Sequence, residues 1–342
     1  MTDPPPSLAE VGARVAARID DLLAGEQDRW AAVDADMAEP FRALRAIIGG
    51  GKRLRPAFCH WGFVGAGGDP DDPQVVDAGA ALELLHTFAV VHDDIMDDST
   101  RRHGQPCLHI DFADRHVARS WYGEPRRFGD GAAILIGDVA FVYADQLLRD
   151  APATALDLFT ELRLEVNVGQ YLDLVGTASR RPSVGQTRTI AVYKSGKYTI
   201  ERPLHLGAAL TGGLARVQEA YTAFGVPLGE AFQLQDDLLD AFGDSAVLGK
   251  EAGEDLRSGK PTRLLAVARE RAAPAAQAIL AEGTDLHAVQ TILVDTGARE
   301  AVEQRVQSLL DEALDALAAA PITEPARREM GALARFVTGR DH

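Results

Sequence analysis

The amino-acid sequence predicts an all-α protein, and three observations support this. Alanine is abundant and β-branched residues rarely cluster, which favours helices over strands. Apolar residues recur at helical spacing, as at Leu8, Val11 and Val15. No segment alternates like a strand meander or reads as a βαβ unit. Because 46% of the 342 residues are hydrophobic, the chain can bury a large core. We predict a disordered tail over residues 1–6 and one domain over residues 7–342.

Local signals place the elements along the chain. Ser7 and Glu10 have capping-box spacing and begin the first helix. Residues 104–130 are mixed in charge and are predicted to be a long loop, a lid or a partly helical insertion. Gly196 predicts a kink or a break between helices. The further predicted helices cover residues 40–48, 57–63, 75–91, 132–148, 154–175, 204–210, 217–242, 264–280, 286–293, 298–317 and 327–337.

Charge and composition exclude several classes of protein. The net charge is −16 and no segment is dense in Lys and Arg, which argues against nucleic acid and anionic membranes as partners. The two cysteines, Cys59 and Cys107, cannot form a disulfide framework or a CxxC zinc site, so we expect free thiols in a reducing cytoplasm. The N-terminus lacks the pattern of a signal peptide, and the longest apolar run, residues 132–144, is interrupted by Asp138 and predicts no transmembrane segment.

Four carboxylates fall within six residues at Asp93, Asp94, Asp97 and Asp98, directly after an apolar helical segment. In a helix, Asp93 shares a face with Asp97 and Asp94 with Asp98, and like charges at this spacing are destabilising. Mg²⁺ binds carboxylate oxygens together with substrate phosphates. A solvated acidic helix end is the alternative. A second cluster, Asp236-Asp237-Leu238-Leu239-Asp240, follows another apolar helical segment and favours the metal site.

Cations form the other half of the pattern. Lys52, Arg53 and Arg55 follow three glycines and open a helix, where a close backbone and a helix N-terminus favour anions. A loop with solvated cations is the alternative. Metal ions between carboxylates would turn a diphosphate into a good leaving group, and an apolar interior would hold a hydrocarbon away from water. Further cations stand at Arg101, Arg102, Lys194, Lys197, Lys250 and Lys260.

From about residue 40 to the C-terminus, the chain resembles the trans-isoprenyl diphosphate synthases of the polyprenyl synthetase family. The DDxxD motif is matched by Asp93-Asp94-Ile95-Met96-Asp97 and again by the second cluster, and Gly50-Gly51-Lys52-Arg53-Leu54-Arg55-Pro56 matches the isopentenyl diphosphate segment. The resemblance implies an isoprenoid-synthase-type helical bundle around a deep central apolar cavity, usually as a homodimer. It also implies Mg²⁺-dependent, head-to-tail condensation of isopentenyl diphosphate with allylic diphosphates.

The resemblance also implies roles for single residues. Asp93, Asp97 and Asp236 would hold three Mg²⁺ ions, and Asp94, Asp237 and Asp240 complete the candidate metal set. The candidate catalytic residues are Asp93, Asp97, Asp236, Lys197 and Arg101. Tyr198 departs from the family, which often has threonine there. The residues expected to hold isopentenyl diphosphate are Lys52, Arg55, His86 and Arg102, and those expected on the allylic diphosphate are Arg101, Lys197, Gln233 and Lys250.

Product length is predicted from the residues before the first motif. Ala89, Phe88 and Leu85 lie four, five and eight positions before Asp93 and are expected to form the cavity floor. An aromatic residue at the fifth position, with none at the fourth and no insertion in the motif, resembles short-chain synthases of the geranylgeranyl type. We therefore predict geranylgeranyl diphosphate as the main product. A farnesyl or longer-chain synthase is the alternative, with Phe88 serving only as core packing.

Three other classes of protein are weighed against this one. A class I terpene cyclase shares one DDxxD motif, but it normally has a different second metal site. A metal phosphohydrolase, considered because of His92-Asp93, needs further spaced histidines. A non-catalytic subunit of a heteromeric prenyl synthase commonly lacks motif aspartates, whereas both motifs are whole here.

Overall fold

The computed structural model describes residues 3–102, 104–179, 183–243, 253–283 and 285–339. Within these residues the regular structure is helical except for one short hairpin, in which Arg101–Arg102 pairs antiparallel with Gln105–Pro106. The prediction of an all-α protein is therefore confirmed. The chain forms two compact units, which we call the N-terminal unit (residues 6–60 and 70–152) and the C-terminal unit (residues 1–5, 61–69 and 153–342). The single domain over residues 7–342 stays a prediction.

Helices α1 to α6 build the N-terminal unit. Helix α1 begins at Pro6, one residue inside the segment expected to be a tail. The helices are α1 Pro6–Ala31, α2 Ala38–Ile48 after a 3₁₀ turn at Ala35–Met37, α3 Leu54–Gly65, α4 Pro73–Met96, α5 Leu108–Ala118 and α6 Pro125–Leu148, and α3 runs on into residues of the C-terminal unit.

Helix α4 is the central element of the N-terminal unit. Asp72 caps it by accepting from the Gln74 N–H at 2.8 Å, and Pro73 occupies the first turn, where no N–H is required. The helix packs against α1, where a Cβ on Gly79 would stand 2.8 Å from a methyl group of Val15. It ends at Met96 with Asp97 as its C-cap, so the first aspartate motif occupies its last turn and its cap.

Residues 104–130 are mostly helical. They comprise the second strand of the hairpin, α5 and the start of α6, whose N-terminus is capped by Glu124. Of the alternatives predicted for this segment, the structure shows the partly helical one, and its being an insertion stays a prediction. The side chains of His116, Trp121 and Phe128 pack together there, with the Trp121 and Phe128 ring centroids 5.1 Å apart.

The C-terminal unit contains the remaining helices and one π-helical segment. Its core includes Leu234 and Leu238 of the long helix that carries the second aspartate motif. The predicted helix over residues 264–280 is two helices, because Pro274 begins the second one. The elements are α7 Ala153–Ser179, α8 Val184–Ile190, the π-helical segment Ala191–Glu201, α9 Arg202–Leu210, α10 Leu214–Phe242, α11 Glu254–Ser258, α12 Arg263–Arg271, α13 Pro274–Glu282, α14 Leu286–Asp295, α15 Ala298–Ala319 and α16 Glu324–Thr338.

The π-helical segment runs without a break through Gly196, so the predicted break between helices is not found there, and the predicted kink stays a prediction. Glycines from two neighbouring helices contact its backbone. A Cβ on Gly169 of α7 would stand 2.6 Å from the Lys194 Cα, and one on Gly225 of α10 would stand 2.8 Å from the Glu201 Cα. Gly196 itself lies against Gly229, where a Cβ would be 2.9 Å from the carbonyl carbon. These contacts hold the segment by its main chain, which only glycine permits at this spacing.

Two helices meet the length and composition of a membrane span, although the sequence predicts no transmembrane segment. Helices α4 and α6 each have 24 residues, with mean hydropathies of 1.3 and 1.5 in their most apolar windows. In α4, 61% of that window is buried inside the protein, and in α6 the figure is 39%. A buried core helix passes the same test, so these two helices are weak evidence for a membrane span.

Candidate active site

The first aspartate motif separates its carboxylates by burial. Asp94 is 4% exposed, whereas Asp93 and Asp97 are half-buried. The Asp97 N–H donates to the Asp93 carbonyl at 2.8 Å, which closes the last turn of α4. Because Asp93 and Asp97 stand one turn apart, their carboxylates lie on one face of the helix.

Arg102 holds the buried carboxylate of this motif. Its Nε donates to Asp94 Oδ1 at 2.9 Å, and its Nη2 donates to the same oxygen at 2.6 Å. Burial alone would lower the pKa of Arg102, but the hydrogen bonds and charge of Asp94 outweigh it and raise that pKa. The neighbouring Arg101 is exposed and donates to the Gly104 carbonyl. Two adjacent arginines therefore have different contacts.

The cationic segment at the start of α3 divides in the same way. Lys52 is exposed and Arg55 is half-buried, whereas the Arg53 side chain turns inward and is 11% exposed. Arg53 forms an ion pair with Glu83 of α4 and donates to the Ile48 carbonyl. His86, the other predicted ligand in this region, is half-buried on α4.

Sequence reasoning grouped Arg53 with the anion-binding cations Lys52 and Arg55, and it gave no role to Glu83. A signal for Glu83 does exist, because a lone carboxylate in an apolar helical segment needs a cationic partner when buried. The sequence does not show which cation provides it, since several arginines and lysines are available.

The second aspartate motif repeats the division at the end of α10. Asp236 is exposed, while Asp237 and Asp240 are 7% and 2% exposed. Gln233 Nε2 donates to Asp237 Oδ1 at 2.8 Å, and burial raises the pKa of Asp237 well above its ordinary value despite that bond. Asp240 Oδ2 accepts from the Asp255 N–H at 3.0 Å, so it anchors the start of α11. Lys250 lies outside the described residues.

The π-helical segment contributes two lysines that pair with buried acids of α7. Lys194 Nζ lies 2.5 Å from Asp173 Oδ2, and Lys197 contacts Glu165. Arg202 also binds Glu165, through Nε at 2.6 Å and Nη2 at 2.7 Å. Burial would raise the pKa of Glu165, but the hydrogen bonds from Arg202 and Lys197 outweigh it and lower that pKa. Sequence reasoning identified Lys197 but missed Glu165.

The residues predicted to limit product length lie on α4. Leu85 is fully buried, and Phe88 and Ala89 are half-buried. The Phe88 ring packs against the Phe141 ring of α6, with centroids 4.8 Å apart and an interplanar angle of 52°. The His92 ring lies on the same side of α4, 4.5 Å from Phe88. Phe141 was not identified from the sequence, because its proximity depends on how α4 and α6 pack.

Asp93, Asp94, Asp97, Lys52, Arg55 and His86 belong to the N-terminal unit, and Asp236, Asp237, Asp240, Lys197 and Gln233 to the C-terminal unit. Two aspartate motifs at the ends of long apolar helices, with basic residues in both units, define an all-helical protein equipped for metal and phosphate chemistry. The family model for polyprenyl synthetase matches residues 39–293. The chain belongs to the polyprenyl synthetase family.

Individual relatives agree with this family. The chain is 34% identical to the short chain isoprenyl diphosphate synthase of Methanothermobacter thermautotrophicus, over 73% of each chain. It is 29% identical to the geranylfarnesyl diphosphate synthase of Aeropyrum pernix, over 84% of this chain and 89% of the relative. A crystal structure of geranylgeranyl pyrophosphate synthase from Corynebacterium glutamicum, complexed with isoprenyl diphosphate and magnesium, is 36% identical with a TM-score of 0.93, covering 98% of this chain and 99% of the other.

Proposed function

We propose that this prenyltransferase condenses isopentenyl diphosphate head-to-tail with an allylic diphosphate, and that geranylgeranyl diphosphate is the main product. The observation that carries the proposal is that both aspartate motifs are whole and end long apolar helices. In each unit, basic residues accompany the motif: Arg101 and Arg102 in one, Lys194 and Lys197 in the other.

The reaction needs an anionic leaving group and a dry hydrocarbon site. The C1–O bond of the allylic diphosphate breaks with its electron pair on oxygen, and the terminal carbon of isopentenyl diphosphate forms a bond to C1. The positive charge then lies on C3 of the former isopentenyl diphosphate. A proton leaves C2, the C–H electron pair forms the C2–C3 double bond, and the departing diphosphate accepts the proton. Arg101, Lys197, Gln233 and Lys250 are proposed to hold the allylic diphosphate. Lys52, Arg55, His86 and Arg102 are proposed to hold the second substrate.

The burial of the carboxylates supports two different roles for them, binding Mg²⁺ or binding other groups of the protein. Asp93, Asp97 and Asp236 are the proposed Mg²⁺ ligands, whereas Asp94, Asp237 and Asp240 have partners within the protein. Among the described residues no three His, Cys, Asp or Glu side chains form a ready metal cluster. That fits Mg²⁺, which commonly takes one or two carboxylates and completes its shell with waters and substrate phosphates. Three bound ions would neutralise the diphosphate and assist its departure.

Product length is assigned to the aromatic pair of α4 and α6. Phe88 lies five residues before Asp93, about 7.5 Å along the helix axis. Its ring is supported by Phe141, so removal of one ring would leave the other in place. We expect longer products from Phe88→Ala and still longer ones from Phe88→Ala with Phe141→Ala. A product length unchanged in both variants would remove this pair as the determinant.

The deciding experiment supplies the purified protein with Mg²⁺, isopentenyl diphosphate and each allylic primer in turn, and separates the products by chromatography. We expect a C20 diphosphate as the main product, and no turnover in EDTA until Mg²⁺ is restored. The absence of product from every primer would favour a non-catalytic subunit. A C15 product, or one longer than C20, would retain the reaction and correct the length.

Self-association is proposed on one face of α7. Leu164, Val168, Tyr171 and Val175 recur at helical spacing there and are between 45% and 67% exposed. An apolar stripe of this kind marks an interface in a protein of high net charge. A homodimer is the proposed occupant, in keeping with the family resemblance. We place the protein in the cytoplasm, a proposal supported by its two cysteines, which are buried and form no disulfide.

A further inference from the structure

The segment proposed to bind isopentenyl diphosphate contains a cation that does not face outward. Arg53 stands between Lys52 and Arg55, yet its side chain is 11% exposed and its partner Glu83 is 4% exposed. The main chain at Arg53 has a φ of +53°, which is unusual for a residue other than glycine. An unfavourable backbone conformation persists only where surrounding contacts hold it.

Three helices hold the inward side chain. Nη1 pairs with Glu83 of α4, and Nη2 donates to the Ile48 carbonyl at the end of α2. On α1, a Cβ on Gly12 would stand 3.2 Å from the Arg53 Cγ, so the aliphatic stem has a close neighbour on that side. The guanidinium therefore joins α2, α4 and the loop between α2 and α3. A lysine has a single nitrogen and lacks the planar fork that makes these two contacts.

The position of this ion pair relative to the proposed substrate ligands gives it a role. Lys52 and Arg55 lie one and two residues from Arg53, and His86 lies three residues after Glu83, on a neighbouring position of α4. The ion pair thus connects the loop that carries Lys52 and leads into Arg55, in the first turn of α3, to the helix that carries His86. Each of the three proposed ligands is at most three residues along the chain from Arg53 or Glu83, so a movement of the ion pair would be passed on to them.

We propose that Arg53 and Glu83 are positioning residues for isopentenyl diphosphate, which set the place of Lys52 and Arg55 relative to His86 without touching the substrate. This inference depends on the proposed function of the GGGKRLR segment. Without the pair, the loop could move away from α4. Lys52, Arg55 and His86 could then no longer bind one diphosphate together, and the affinity for isopentenyl diphosphate would fall. The allylic diphosphate, assigned to other residues, would be affected less.

The test compares steady-state kinetics for the two substrates. The informative variant is Arg53→Met with Glu83→Leu, because replacing a buried ion pair by apolar residues of similar volume is often neutral for stability. We expect the KM for isopentenyl diphosphate to rise about tenfold or more, as for the loss of one charge-assisted hydrogen bond. The KM for the allylic substrate and kcat at saturation should change less than about threefold. Arg53→Lys should restore part of the affinity, because it keeps the ion pair and loses one contact.

The control is Arg18→Met, which removes another α1–α4 contact, the Arg18–Asp77 bridge at 2.6 Å, and should leave both KM values unchanged. Thermal unfolding of each variant separates folding defects from binding defects. If the folded double variant retains the wild-type KM for isopentenyl diphosphate, or if both KM values and kcat shift together, the positioning role is overturned. If the wild-type protein itself does not consume isopentenyl diphosphate, it is the proposed function that fails.

Discussion

The adjacent aspartates in each motif differ in burial and in their hydrogen-bond partners. Asp94 and Asp237 are buried and hydrogen-bonded to Arg102 and Gln233. A buried carboxylate without such a partner would cost several kcal/mol. Asp236 by contrast is exposed. The first aspartate of each pair is therefore suited to a metal ion, and the second to holding another side chain of the protein.

This difference predicts unequal effects of the same substitution. Asp236→Asn should lower kcat by about 100-fold or more, the scale of losing one group that stabilises charge in the transition state. Asp237→Asn should lower kcat by less than about tenfold, because burial already raises the pKa of this carboxyl and an amide oxygen can still accept from Gln233. The measurement is kcat at saturating Mg²⁺ and substrates. Equal losses would contradict the assignment.

For single residues, the sequence identifies the functional segments more reliably than it identifies the contacts of each side chain in them. The spacing of the aspartates and of the GGGKRLR segment identified both acidic helix ends and the cationic loop. It could not show that Arg53 points inward, because its partner Glu83 lies 30 residues further along the chain. Lys52, Arg53 and Arg55 are equivalent as cations until α4 packs beside them.

Among the elements, the π-helical segment is the one that apolar periodicity could not reveal. Periodicity indicated the long helices α4 and α10 because an apolar interior surrounds them. The π-helical geometry depends on main-chain contacts with Gly169, Gly225 and Gly229 of two other helices. The glycine that reads as a break in the sequence, Gly196, instead allows a close contact.

Gly229→Ala tests this contact. The added methyl group would overlap the Gly196 main chain, and we expect about 1–3 kcal/mol lower stability together with weaker binding of the allylic substrate, since Lys197 lies on the displaced segment. Thermal unfolding and the KM for the allylic diphosphate report the two effects.

The matched control is Gly25→Ala in α1, where an added Cβ has nothing within 4 Å. This change should raise the stability by up to about 1 kcal/mol through helix propensity. If Gly229→Ala behaved like the control, the proposed packing of the π-helical segment would be wrong.

For the whole molecule, the buried histidines His60 and His205 are expected to make stability depend on pH. Burial lowers the pKa of His60 in the N-terminal unit and of His205 in the C-terminal unit to about 4, from an ordinary value of 6.5. His205 Nε2 lies 3.2 Å from the Gln218 carbonyl, and Arg202 Nη1 lies 3.4 Å from Nδ1, so a neutral ring satisfies both contacts.

The sign of the effect follows from proton binding. Between pH 6.5 and 4 the unfolded chain binds more protons than the folded one, so the free energy of unfolding should fall as the pH is lowered through this window. Each histidine contributes about 2 kcal/mol of loss by pH 5. In His205→Gln, thermal unfolding midpoints should fall less between pH 7 and 5 than in the wild type. The control is His287→Gln, at an exposed histidine. If the unfolding midpoint of His205→Gln changed with pH as in the wild type, the role of His205 would be refuted.

The apolar face of α7 carries the prediction for assembly. Val168→Glu should convert a dimer into a monomer, because a charge would be buried in the middle of the stripe. Light scattering after size-exclusion chromatography measures the mass. Val33→Glu, at an apolar position of the N-terminal unit that is 74% exposed, should leave the mass unchanged. A wild-type protein that is already monomeric would exclude the proposed homodimer.

The π-helical segment also bears on how related chains can gain and lose residues. A ring closed between residues i and i+5 contains one residue more than the ring of an α-helix. Deleting one residue from Ala191–Glu201 would remove this extra residue and allow an ordinary α-helix, so the remaining side chains of the segment would project in new directions. Lys194 and Lys197 could then no longer both reach the acids of α7 that they contact now. Among relatives, the residue count of this segment should vary less than that of the surface loops.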